Sequence, residues 1–289
     1  MRRRYRRCVV HIGIGLPNHV AGVRGAVIGT WAHHAEERGF ESLTTIDRLI
    51  YPSLDSVVTL SVAAGATCTI GLVTNVLLTP LYSTPALAKQ LGSLAACAGA
   101  RLTIGIGVGS RPDDYDAVGV DFAQRGRILD EQLVSLRRDW RADGGLCPAP
   151  VQIPLIFGGR SEAAIRRATT VGDGWAAGAL RDFDTQSAIA DRVRAGWQAA
   201  GRRGVPQIHA SVNFALGNGD TVQAGRDHVG RYYGFNPEYA QLNMADMVDS
   251  VEDAREAVRA YRDLGFDRVL FHPAVASLDQ VDLLADALL

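Results

Sequence analysis

Eight apolar stretches of strand length, each followed by a helical pattern, constrain this chain more than any other feature. The strands are expected at 9–16, 42–47, 70–78, 102–108, 155–158, 175–178, 208–216 and 268–272. Helical patterns fall at 25–39, 56–66, 84–98, 123–141, 161–171, 185–200, 221–232, 250–264 and 278–287. Gly39 marks a helix C-terminus and Ser161 a helix start. Strands separated by helices imply parallel pairing, because a parallel connection needs a long crossover. Eight such units in 289 residues indicate an α/β chain closed as a (β/α)8 TIM barrel. An open dinucleotide sheet would place GxGxxG soon after the first strand, and HIGIGLPNHV does not supply it.

The segment 230–249, rich in tyrosine and polar residues, has weak periodicity. It reads as an insertion before the last β/α unit, over the barrel mouth, serving either as a substrate wall or only as structure. The length suits one barrel, so residues 1–289 are expected to form a single domain. The basic opening MRRRYRR is expected to be a disordered N-terminus over 1–7. With 30 basic and 31 acidic residues the chain offers no broad cationic face, so nucleic acid and membrane partners are not expected. No apolar run reaches the ~18 residues of a membrane span. Four cysteines without a CxxC pair argue against a disulfide frame or zinc site and for a cytoplasmic location. Cys68 and Cys97, in apolar helical patterns, are expected in the core. No HxH or HExxH pattern suggests a metal.

A barrel of this kind carries its chemistry at the C-terminal strand ends, which here are Pro17–His19, Asp47–Arg48, Thr74–Asn75, Gly109–Asp114, Gly158–Ser161, Gly178, Asn213 and His272. Glycines at 105, 107 and 109 leave one face of the fourth strand without side chains, open to another backbone or a flat ligand. A polar loop, 110–114, is expected after it. Gly158, Gly159 and Ser161 stand at a helix start, a geometry that serves either an anion or an ordinary cap. Thr74 and Asn75 put polar groups in an apolar run, where they need partners. Asp47 and Arg48 form either a structural ion pair or, through Arg48, a contact for an anionic group. His33 and His34 suit the surface, and His11 and His209 lie early in strands. His19 and His272, at strand ends, are the acid/base candidates.

The segments AEERGFESLTTIDR (35–48), IGLVTNVLLTP (70–80), ALAKQLGSLAACAGARLTIGIGVG (86–109), GVDFAQRGRILDEQL (119–133), PLIFGGRSEAAIRRATTVGDGW (154–175) and GFDRVLFHP (265–273) together resemble the bacterial luciferase-like superfamily, in order along nearly the whole chain. The resemblance implies a barrel binding FMN or the deazaflavin coenzyme F420 at its mouth. It further implies that Thr74 and Asn75 form a strand-end bulge, often with a non-proline cis peptide, backing the flavin ring. Gly107, Val108 and Gly109 would lie along the ring, and Gly158, Gly159 and Ser161 at the phosphate. Two departures stand out: Arg48 replaces a histidine common in the family, and Ser110 stands where F420-dependent sugar-phosphate dehydrogenases have a catalytic glutamate. The implied activity is a flavin monooxygenase using O2 and reduced FMN from a partner flavin reductase on a small organic substrate, such as one of secondary metabolism, with Arg48, His272 and His19 as catalytic candidates. Alternatives are F420-dependent hydride transfer and a non-catalytic flavin-binding paralogue. Family members commonly form homodimers through helices flanking the second and third strands, and the same is expected here.

Overall fold

The computed structural model describes residues 9–141, 146–148 and 152–289; the basic segment 1–7, and residues 143–145 and 149–151 of the Gly/Pro-rich link, lie outside them. Eight parallel strands close a barrel in chain order: β1 (His11–Gly15), β2 (Ser42–Thr45), β3 (Gly71–Leu78), β4 (Leu102–Gly107), β5 (Leu155–Gly158), β6 (Gly174–Ala176), β7 (Gln207–Phe214) and β8 (Arg268–Pro273). β8 returns to β1 through His11–Arg268 and Gly13–Leu270. The helices outside are α1 (Val27–Glu37), α2 (Ser56–Ala66), α3 (Thr84–Ala98), α4 (Pro112–Ala117), α5 (Arg125–Asp139), α6 (Glu162–Thr170), α7 (Phe183–Ala199), α8 (Gly219–Tyr232), α9 (Pro237–Ala245), α10 (Val251–Asp263) and α11 (Asp279–Leu288). The (β/α)8 expectation holds, and α9 is the insertion ahead of the last unit.

The helices bury single stripes against the barrel. In α10 the stripe is Ala254, Ala257 and Tyr261, all fully buried, at the i, i+3, i+7 spacing of one helix face. Caps fix the helix starts: the Asp55 carboxylate accepts from Val58 N at 2.8 Å, and Asn218 from Thr221 N at 2.9 Å. At the base of the barrel Glu36 ties α1 to the approach of β3, accepting from the amides of Cys68, Thr69 and Ile70.

The bare face of β4 is filled from within. The β3–β4 register shifts between Thr74 and Leu77, a bulge that contains a cis Asn75–Val76 peptide. A Cβ on Gly105 would collide with the Thr74 carbonyl oxygen, one on Gly107 would sit 2.6 Å from Val76 Cγ2, and one on Gly109 3.1 Å from Leu78. The glycines make room for a neighbouring strand that has swollen by its bulge.

Several local expectations change. The polar loop after β4 contains the short helix α4, started by Pro112 and two acids in its first turn. The weakly periodic insert contains α9, whose Asn236 side chain accepts from Tyr239 N at 3.1 Å and whose first residue is Pro237. Cys68 and Cys97 are exposed rather than buried. α3 buries 87, 88, 91, 94, 95 and 98, which turns residue 97 outward, and Cys68 lies in the turn held by Glu36.

Candidate active site

A cavity of about 240 Å³ opens at the C-terminal ends of the strands. Its floor is the β3 bulge, Asn75 and Val76, and its sides are Gly109, Gly158 and Gly159. Val76 fills the space that side chains at 107 and 158 would take, its methyls lying 2.6 and 3.0 Å from where their Cβ atoms would be. A second cavity of about 280 Å³ shares Ser110, Gly159, Ala176, Gly178 and Tyr239 with the first and runs on past Arg160 to Asp182. The two form one elongated cleft. Gly109 and Gly159 have φ of +67° and +116°, in the region that favours glycine. Trp175 donates from Nε1 to the Gly159 carbonyl at 2.7 Å, which fixes the turn leading into α6.

Asn75 is the hub of the floor. Its Nδ2 donates to Ser211 Oγ at 2.7 Å and to His272 Nε2 at 3.0 Å, while Ser211 Oγ donates to the Ala177 carbonyl at 2.8 Å. The contact to Nε2 leaves the proton of a neutral His272 on Nδ1, which has no partner. Burial pushes the His272 imidazole down to about 3, so the ring is neutral near pH 7. His19 stacks edge-on to His272 at 6.1 Å between centroids and on its other side meets His228 at 5.2 Å. Burial first, then the neighbouring His228 and His272, hold His19 well below its usual value. His228 is lowered to about 4 by burial and then by Arg231.

The β2 end contributes Asp47 and Arg48. Asn18 grips this turn through both atoms of the Ile46 peptide, donating to its carbonyl at 2.7 Å and accepting from its N–H at 3.2 Å. Asp47 does not pair with Arg48. It accepts from Leu78 N at 2.9 Å and from the Tyr82 hydroxyl at 3.0 Å, and burial raises it to about 6 in spite of these donors. Arg48 turns the other way, over Tyr51 at 4.9 Å and toward Asp113 at 3.4 Å.

Of the residues expected at the cofactor, Asn75, Gly109, Gly158 and Gly159 line the cleft. Gly107 faces Val76, Val108 packs on the core, and the Thr74 hydroxyl donates to the Gly105 carbonyl at 2.8 Å. Gly107 and Thr74 thus accommodate and brace the bulge. Ser161 caps α6, accepting from Ala164 N at 3.3 Å. Among the catalytic candidates, Arg48 and His272 line the cavity and His19 lies edge-on to His272. Ser211 and His228 went unremarked in the sequence, and Arg111 was marked only as part of the strand-end loop 109–114. Ser211 had a signal, since His209, Ser211 and Asn213 put polar groups at alternate positions of an apolar strand. His228 had none. Among the described residues no group of three or more His, Cys, Asp and Glu side chains is arranged to hold a metal ion.

Residues 10–246 match the family model described as luciferase-like monooxygenase. The chain belongs to that family. An uncharacterized protein of Mycobacterium tuberculosis is 32% identical over 214 residues, 62% of this chain and 74% of the relative. Among solved structures, an F420-dependent secondary alcohol dehydrogenase in complex with an F420–acetone adduct superposes with a TM-score of 0.79 at 16% identity. The monooxygenase RslO1 of Streptomyces bottropensis gives 0.77 at 20%. Each match covers 96% of this chain and 98% of the other. At these identities both likenesses concern the fold. As a member of the luciferase-like family the chain is an oxidoreductase by kinship, and the strand-end bulge with a cis peptide that the resemblance implied at Thr74 and Asn75 is present.

Proposed function

We propose that the chain is a flavin-dependent monooxygenase that oxidises a small organic substrate with O2 and reduced FMN supplied by a separate flavin reductase. The observation that carries this reading is the cleft wall: a bulge capped by Val76 faces Gly109, Gly158 and Gly159, with a helix N-terminus at the far end. A flat tricyclic ring fits a wall that has no projecting side chains, and the free N–H groups of α6 with the Ser161 hydroxyl suit a phosphate. The bound flavin supplies the reducing electrons and the activation of O2. The chain's own residues do the rest. Gly158 and Gly159 admit the cofactor backbone, Val76 supports the ring, and Tyr233, Phe235 and Tyr239 keep water from the substrate side. His272, neutral and bonded to Asn75, carries a proton at Nδ1, and Asp47 is a second exchangeable site within the same cavity. Ser110 and Arg48 both weigh against the chemistry of F420-dependent sugar-phosphate dehydrogenases, and Arg48 also takes the place of a histidine that serves as an acid/base in the family's monooxygenases.

F420-dependent hydride transfer is the second reading, supported by the likeness to the alcohol dehydrogenase. Titrating the purified chain separately with FMN and with F420, followed by absorbance and fluorescence, decides between them. Tight binding of FMN with substrate-dependent O2 consumption is expected; binding of F420 alone would overturn the first reading. A homodimer is part of the same proposal, supported by Val58 and Val62, exposed one turn apart on α2. Light scattering should give twice the chain mass, and Val58→Glu should return it to that of one chain. Among the described residues no helix is long and apolar enough to cross a membrane.

A further inference from the structure

We infer that the substrate is an organic carboxylate, its head held by Arg48 and Arg111 and its apolar body lying against Tyr233, Phe235 and Tyr239. The inference rests on the flavin-site reading for the position of the cofactor beneath. The two guanidinium groups flank Tyr232. Arg111 donates to the Tyr232 carbonyl at 2.6 Å and Arg48 to the same oxygen at 3.3 Å. Arg111 lies between two rings, 4.8 Å from the Tyr232 centroid and 4.2 Å from that of Phe235, and Arg48 lies over Tyr51. Stacking of this kind holds the planar groups in place and leaves their in-plane N–H groups for other partners.

Some of those N–H groups are left without a partner. Arg111 is 7% exposed, forms no salt bridge among the described residues, and has an unpartnered Nη1. Arg48 has an unpartnered Nε, and among the described residues its salt bridge is to the half-exposed Asp113 at 3.4 Å. A buried cation without a counter-ion is costly, and the cost falls when an anion arrives. Both arginines line the cavity, so the anion can come with the ligand. Its charge is set by the neighbours. Asp47 and Asp114 line the same cavity, which disfavours a dianion such as a phosphate ester and suits a planar monoanion that takes two parallel N–H bonds.

The test is calorimetric titration of the full chain with phenylacetate, phenylacetamide and phenyl phosphate, without cofactor and again with bound FMN. Phenylacetate should bind at least about tenfold tighter than its neutral amide, the scale of a charge-assisted contact. Arg111→Met and Arg48→Gln should each remove most of that preference while leaving amide binding within about threefold. The acid–amide comparison in the wild-type chain requires no variant, so misfolding of either one does not decide the outcome. Equal binding of acid and amide would overturn the inference, as would tighter binding of phenyl phosphate. Failure of FMN to bind while the acid preference persists would sink the cofactor reading alone.

Discussion

A carboxylate that accepts hydrogen bonds from an amide and a phenol, yet is raised to about 6, is governed by its loss of water; Asp47 is that group. Its folded value lies above the unfolded 3.8, so its contribution is full below about 3.8 and is lost as pH rises through about 6. The native carboxyl holds a proton that the unfolded chain has already released. Relative to Asp47→Asn, the wild-type chain should therefore lose about 2 kcal/mol of unfolding free energy between pH 4 and pH 6 and almost nothing further above pH 7. Urea melts of both proteins across that range check it, and a parallel pair of curves would refute it. Gly107 makes a steric prediction. A Cβ there meets Val76 Cγ2 at 2.6 Å, so Gly107→Ala should cost about 1–3 kcal/mol, and adding Val76→Ala should restore a good part of it. A double-mutant cycle that proves additive would mean that the two residues do not compete for space.

At the scale of elements, the sequence revealed where glycine made room but not what would fill it. The alternation at 105, 107 and 109 marks space, and its occupant comes from a strand 31 residues upstream, a pairing that no local pattern encodes. Thr74 and Asn75 were legible as polar groups needing partners in an apolar run, and they proved to hold the bulge from opposite sides, Thr74 on Gly105 and Asn75 on Ser211 and His272. Adjacency suggested an Asp47–Arg48 pair. The backbone at a strand end sends successive side chains to opposite sides, so one went to Tyr82 and the other to Tyr51. α4 and α9 carried readable starts, Arg-Pro-Asp-Asp and Asn-Pro-Glu, but α4 is too short for a periodic stripe and α9 buries only Ala240 and Asn243. The α6 start makes its own prediction. Ser161→Ala removes the cap accepting from Ala164, which should lower stability by about 1 kcal/mol. If the same hydroxyl meets a phosphate, FMN affinity should fall while affinity for riboflavin, which lacks the phosphate, stays unchanged. Equal losses for the two ligands would remove Ser161 from the phosphate site.

The whole barrel is set against acid by histidines buried at both of its ends. His272, His19 and His228 lie at the mouth, while His209 sits on β7 beside Arg268 near the base. Burial pushes His272 and His209 down to about 3 and His228 to about 4, against 6.5 for an unfolded histidine. With folded values depressed, their stabilising contribution is complete above about pH 6.5 and is lost as pH falls toward 4 and then 3, because the unfolded chain takes up protons that the native state refuses. Each fully expressed group gives a slope of about 1.4 kcal/mol per pH unit. A few such slopes together exhaust the ~5–15 kcal/mol stability of a typical domain within about two pH units. Asp47 acts in the opposite direction over part of this range but is a single group. The chain should therefore unfold cooperatively between about pH 6 and pH 4 at room temperature. His228, with both ring nitrogens unpartnered, is the cleanest position to vary: His228→Phe should flatten the acid limb by about 1.4 kcal/mol per pH unit and move the midpoint downward. Circular dichroism along an acid titration of wild type and variant measures both, and a wild-type chain still folded at pH 3.5 would show that these rings take up protons without unfolding the barrel.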